Sequence, residues 1–128
     1  APSSDVVDQH WEHIATFWNP KGKQRGQERV PDAGEWIQQG VWDGVQGEMS
    51  SHGHTAAFPL EIPLRFVKMY SKINEAVLEP FLGSGTTMIA CENLGRKCRG
   101  CEISPEYTAV CLQRYKDVTG KDPVLVTE

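Results

Sequence analysis

The 128-residue sequence predicts an α/β fold, a small and mostly parallel sheet with helices on its faces. Two observations carry this prediction. Strand-like and helix-like segments alternate from Leu60 to Val126, and crossover helices are how parallel neighbours are joined. A glycine-rich turn stands at one strand-to-helix junction, the place where α/β folds hold ligands.

The elements follow in order. His10–Trp18 alternates and is rich in aromatic and β-branched residues, which predicts a strand. The polar, glycine-containing run 21–29 places Lys21, Lys23, Arg25 and Arg29 against the single acid Glu28, so it is a loop. A short helix is expected around Glu35–Gln39, then a flexible stretch to Gly53. Leu60, Leu64 and Val67 fall at helical spacing, with Pro63 tolerated in a first turn, so Leu60–Ser71 is a helix. Ala76–Phe81 is a short buried-type strand, and Thr86–Gly95 is a helix stopped by its glycine. Lys97–Ile103 is the next strand. Ser104 caps the following helix, with Pro105 in first position and Gly120 at its end. Pro123–Val126 offers a third strand. All four tryptophans precede His54 and all four cysteines follow it, so the chain divides at that point. Residues 1–53 form an N-terminal strand, basic loop and connector, and residues 54–128 form an α/β module.

Composition narrows the function. With 39% hydrophobic and 23% charged residues the chain is an ordinary soluble domain, and no apolar run approaches the ~18 residues that span a bilayer. A cytoplasmic protein without membrane contact is expected. A net charge of −4 argues against a generic nucleic-acid coat but leaves the basic loop as a local patch for phosphates. Cys91, Cys98, Cys101 and Cys111 read as reduced thiols. Cys98 and Cys101 have the spacing of half a zinc site, which His52 and His54 together could complete, but in a short apolar strand they are expected to be small core residues and no metal is assigned.

The chemistry concentrates in the turn Glu79-Pro80-Phe81-Leu82-Gly83-Ser84-Gly85-Thr86-Thr87. Its glycines allow backbone amides to approach a ligand at a helix N-terminus. A triphosphate site would need a lysine before the hydroxyl residues, and a dinucleotide fingerprint a third glycine where Met88 stands. Glu102 follows Gly83 by 19 residues, close to the spacing of an acid that holds ribose hydroxyls. Glu79, just before the turn, would repel a phosphate but suits an ammonium and a sulfonium. The pair of acids therefore points to S-adenosyl-L-methionine.

These residues carry a resemblance. The segment Glu79 to Thr87, then Gly95-Arg96, Gly100-Cys101-Glu102-Ile103 and Tyr107, resembles the cofactor motifs of AdoMet-dependent DNA amino-methyltransferases, which methylate cytosine N4 or adenine N6. Upstream, His54 to Pro63 resembles the motif that precedes the glycine turn in the family's permuted subgroup. More loosely, Trp11 to Phe17 resembles the family's last core strand, and Trp36-Ile37 with Val41-Trp42-Asp43 the connector that follows it. The resemblance implies a partial Rossmann-like methyltransferase sheet, with Glu79, Phe81, Gly83 and Gly85 around the methionine and sulfonium and Thr86 as a further cofactor-binding residue. It also implies Thr55 and Phe58 in the same pocket and Glu102 on the ribose. The family more often has Asp at the position of Glu79.

A second departure is larger. The family holds the target amine with an Asp/Asn/Ser-Pro-Pro-aromatic tetrapeptide, and this chain has none; Asn19-Pro20-Lys21 and Ser104-Pro105-Glu106-Tyr107 both lack the second proline. A complete fold of seven strands, six helices and their connections needs about 170 residues. The chain is therefore expected to be the C-terminal part of a methyltransferase with no catalytic residue of its own. It would touch DNA weakly through Lys21, Lys23, Arg25 and Arg29 and cover its open sheet edge with a second copy or a complementary half. The alternatives are a stand-alone AdoMet-binding or interaction protein, one subunit of a split enzyme, and a small nicotinamide-binding domain.

Overall fold

A computed structural model describes residues 14–17, 36, 39–43, 45 and 59–126. Helix α1 (Glu61–Tyr70) is followed by strand β1 (Ala76–Glu79), helix α2 (Thr86–Asn93), strand β2 (Lys97–Gly100) and helix α3 (Pro105–Thr119). The strands pair in parallel with Ala76 opposite Lys97 and Glu79 opposite Gly100. The α/β architecture and parallel sheet agree with the sequence. The sheet has two strands among the described residues.

Local chemistry sets the helix ends. Pro63 sits in the first turn of α1, where a backbone N–H lacks an intrahelical partner anyway, and it is buried with Val67. The guanidinium of Arg96 donates to the Ser71 carbonyl at 2.8 Å, closing α1 from the neighbouring loop. Gly85, with φ +84°, leads into α2. Ser104 Oγ accepts the Tyr107 N–H at 3.2 Å, Pro105 is the first residue of α3, and Gly120 ends it with φ +70°.

The core lies around α2. Ile89, Ala90, Cys91, Cys111 and Val67 are buried, and α2 packs on α1, β2 and α3. The opposite face of β1 is bare: Ala76 is exposed and Leu78 is 73% exposed, whereas Val77 and Glu79 turn partly inward. On α1, Arg65 lies over the Trp36 and Trp42 rings at 5.2 and 4.8 Å, and Trp42 meets Phe66 at 5.5 Å, so the two tryptophans pack on this helix.

Four expectations are corrected. Both strands are shorter than expected, ending at Glu79 and Gly100, because the chains part beyond them to form the turn and the acidic loop. Pro123–Val126 is not a strand but exposed irregular chain. Ile14–Phe17, the described part of the expected first strand, is exposed irregular chain as well. An apolar alternating segment becomes a strand only where a neighbour offers ladder partners, and among the described residues β1 and β2 pair only with each other. Cys98 is half-buried, but Cys101 is exposed because it lies past the end of β2, so it is not a core residue. Trp36 is helical, as expected, whereas Gln39 is not; the rest of that helix and the basic loop 21–29 lie outside the described residues.

Candidate functional site

The parallel pairing of β1 and β2 brings Glu79 and Glu102 to the same end of the sheet. Past the last ladder pair, Cys101 N–H donates to the Glu79 carbonyl at 3.0 Å and Leu82 N–H to the Cys101 carbonyl at 2.9 Å, which closes the turn over the strand ends. Gly83 and Gly85 both have left-handed backbone, with φ +55° and +84°. At Gly85 a Cβ would lie 2.6 Å from Cys111 Sγ, so the turn comes too close to α3 for any side chain. At Gly83 the nearest atom would be 4.0 Å away, so that side of the turn is open.

Both carboxylates are oriented by the turn. Glu102 accepts Gly83 N–H at 2.7 Å on one oxygen and Ser104 N–H at 2.8 Å on the other. Hydrogen bonds from the Ser104 and Gly83 amides hold its carboxyl below the usual range, so it is ionised at neutral pH. Glu79 accepts Phe81 N–H at 3.1 Å and Thr87 Oγ1–H at 2.9 Å. Phe81 is 87% exposed beside the turn and is not core. Thr86 is buried, and its hydroxyl faces Arg114 of α3 at 3.3 Å.

The structure thus brings together Glu79, Phe81, Gly83, Gly85, Thr86 and Glu102. Thr55, Phe58, Lys21, Lys23, Arg25 and Arg29 lie outside the described residues. Sequence reasoning missed Thr87 and Arg114. The first could have been found, because a hydroxyl on the first turn of α2 faces back toward the strand that feeds it. The second depends on how α3 packs on α2, for which the sequence carries no local signal.

This donor set fits S-adenosyl-L-methionine better than a phosphate ligand. Two carboxylates flank the turn and no lysine lies within it, so an anion would meet net repulsion, whereas a cationic ligand with ribose hydroxyls would meet complementary charge. Among the described residues no group of three or more His, Cys, Asp or Glu could hold a metal, and no helix is long and apolar enough to cross a membrane. Burial and the adjacent Cys98 push Cys91 up to about 12, and burial raises Cys98 and Cys111 as well.

Residues 5–113 match the DNA methylase family N6_N4_Mtase. The chain belongs to this family. It is 31% identical over 99 residues to Type II methyltransferase M.BglI of Bacillus subtilis, covering 76% of this chain and 28% of that protein. To M.MjaI of Methanocaldococcus jannaschii it is 43% identical over 72 residues, 53% of this chain and 23% of the relative. It thus spans about a quarter of the length of these two relatives. Among solved structures, TTHA0409 of Thermus thermophilus complexed with S-adenosyl-L-methionine aligns with a TM-score of 0.59 and 31% identity, over 84% of this chain and 41% of the neighbour. The cytosine-N4-specific PvuII DNA methyltransferase aligns with a TM-score of 0.51 and 28% identity, over 56% of this chain and 29% of that one. Family membership and a Rossmann-like methyltransferase fold agree with the sequence motifs.

Proposed function

We propose that this chain is the S-adenosyl-L-methionine-binding part of a DNA amino-methyltransferase, contributing to methyl transfer onto the exocyclic amine of adenine or cytosine. The observation that carries the reading is the pair Glu79 and Glu102, each oriented by backbone N–H groups on either side of a lysine-free glycine turn. Glu102 would accept the ribose hydroxyls. Glu79 would face the ammonium and sulfonium, with Phe81, Gly83 and Gly85, and Thr55 and Phe58 from the preceding segment, around the methionine. Thr86 supports the turn from behind. Bound there, the cofactor supplies an electrophilic methyl group, and the chain's own work is to hold and orient it.

The amine needs separate help. An exocyclic amine conjugated with its ring is a poor nucleophile, and acceptors must take its hydrogens so that its lone pair points at the methyl. The chain carries no Pro-Pro-aromatic tetrapeptide to do this. We read it as inactive alone and completed by another chain or segment. The bare face at Leu78, 73% exposed, supports a covering partner, either a second copy or a complementary methyltransferase half. Residues 1–53 would serve as connector and weak phosphate contact through Lys21, Lys23, Arg25 and Arg29, and the family's Type II relatives support a restriction-modification setting.

The test is tritium transfer from labelled S-adenosyl-L-methionine to DNA, by the chain alone and mixed with a separately made segment carrying the tetrapeptide. Transfer in the mixture alone is the expected outcome. Robust transfer by the lone chain would show that the amine is held by residues assigned no such role here.

A further inference from the structure

We propose that Arg114 is the positioning residue of the glycine turn, fixing the peptide between Ser84 and Gly85 in the orientation that receives the cofactor; the inference rests on the cofactor reading above. From α3, Arg114 Nη1 donates to the Ser84 carbonyl at 2.7 Å, with Ser84 Oγ at 3.0 Å and Thr86 Oγ1 at 3.3 Å. Ser84 stands between two glycines of left-handed φ, so its flanking peptides are the ones a chain can swing most easily. One peptide plane is held at both ends: the Ser84 carbonyl by Arg114, and the Gly85 N–H by the Leu82 carbonyl at 3.0 Å.

Helix electrostatics do not explain the placement. The N-terminus of α2 carries partial positive charge, so a guanidinium there is opposed by the helix dipole and is held by its hydrogen bonds. Cys111 lies three residues earlier on the same face of α3, and its sulfur sets how close Gly85 approaches. One face of α3 therefore fixes both the distance of the turn and the direction of its peptide. All three contacts converge on the single nitrogen Nη1; a lysine carries enough protons for them, but its stem is one atom shorter, so it recovers them only in part.

The test is calorimetric titration of the full chain with S-adenosyl-L-methionine for wild type, Arg114→Met and Arg114→Lys, with melting followed by circular dichroism. Met keeps the aliphatic stem and removes the donors. Binding by folded Arg114→Met roughly fivefold or more weaker than wild type, with part of the affinity restored by Arg114→Lys, is expected. Folded Arg114→Met binding as tightly as wild type would overturn the proposal while leaving the cofactor reading intact. A wild-type chain without affinity would overturn both. If Arg114→Met does not fold, Arg114→Lys decides. Weaker binding together with faster exchange of the Gly85 amide by NMR supports the assignment, and unchanged affinity overturns it.

Discussion

Gly83 donates its backbone N–H to Glu102 Oε2 across 2.7 Å, joining residues nineteen apart in sequence. The contact makes the glycine turn and the acid after β2 one unit, because the other carboxylate oxygen is held by Ser104 N–H at the start of α3. Each oxygen keeps a further lone pair for a ligand. The acid is thus oriented before anything binds, and ligand binding does not have to order it.

Glu102→Ala should therefore weaken S-adenosyl-L-methionine binding roughly tenfold or more in calorimetry, through loss of hydrogen bonds to a charged acceptor. Equal affinity would remove Glu102 from the site. The same variant has a pH signature. Because the folded carboxyl titrates below its unfolded value, its stabilising contribution is complete above the unfolded value and is lost as pH falls through the lowered folded one. The difference in urea midpoint between wild type and variant should be largest near neutrality and shrink in acid. A difference that grew in acid would contradict the sign.

The two glycines of the turn should respond unequally to alanine. At Gly83 the new Cβ meets open space, so only the left-handed backbone is penalised, by about 1–2 kcal/mol. At Gly85 the same penalty is joined by overlap with Cys111 Sγ at 2.6 Å, and about 2–5 kcal/mol in all is expected. Urea denaturation measures both. Pairing Gly85→Ala with Cys111→Ala should recover part of the loss, and a pair no better than Gly85→Ala alone would assign the cost to backbone strain.

Signals that act within a few residues were legible from sequence. Ser104 with Pro105, Gly120 and the turn glycines occupy the places their chemistry dictates. The meeting of Glu79 with Glu102 was legible because a βαβ unit returns its second strand parallel to the first. Pro123–Val126 and Ile14–Phe17 misled because their apolar patterns are those of strands, while pairing depends on a neighbour that pattern cannot reveal. Cys101 was misjudged for a related reason: where β2 ends is set by the turn closing over it, two elements away. Thr87 was legible from its place on the first turn of α2, whereas Arg114 bonds through the packing of α3 on α2, which spacing does not encode.

The cysteines should divide by position. Cys101 is exposed, whereas Cys91 and Cys111 are buried with their thiols raised by burial, Cys91 to about 12. Alkylation requires thiolate and access. Native protein treated with iodoacetamide near pH 8 should label first at Cys101, with Cys91 and Cys111 labelled only on unfolding; peptide mass analysis reads the order. Early labelling of Cys91 would contradict the packing of α2 on β2.

Under the proposed site, charge at Glu79 should distinguish methyl donor from demethylated product. Its carboxylate is held by Phe81 N–H and Thr87 Oγ1–H, so Glu79→Gln changes charge while retaining an amide oxygen that can accept at least one of these bonds. S-adenosyl-L-methionine carries an ammonium and a sulfonium; S-adenosyl-L-homocysteine keeps only the ammonium. Both should bind more weakly to the variant, but the donor should lose more, by roughly a further threefold or above, because a charge-assisted contact is about twice as strong as a neutral one. Parallel calorimetric titrations give the ratio of the two affinities. A ratio unchanged from wild type would place the sulfonium away from Glu79, and the acid would then act on the ammonium alone. Thr87→Val supplies the control: it frees one carboxylate oxygen without altering charge, so it should weaken both ligands alike and leave the ratio where it was.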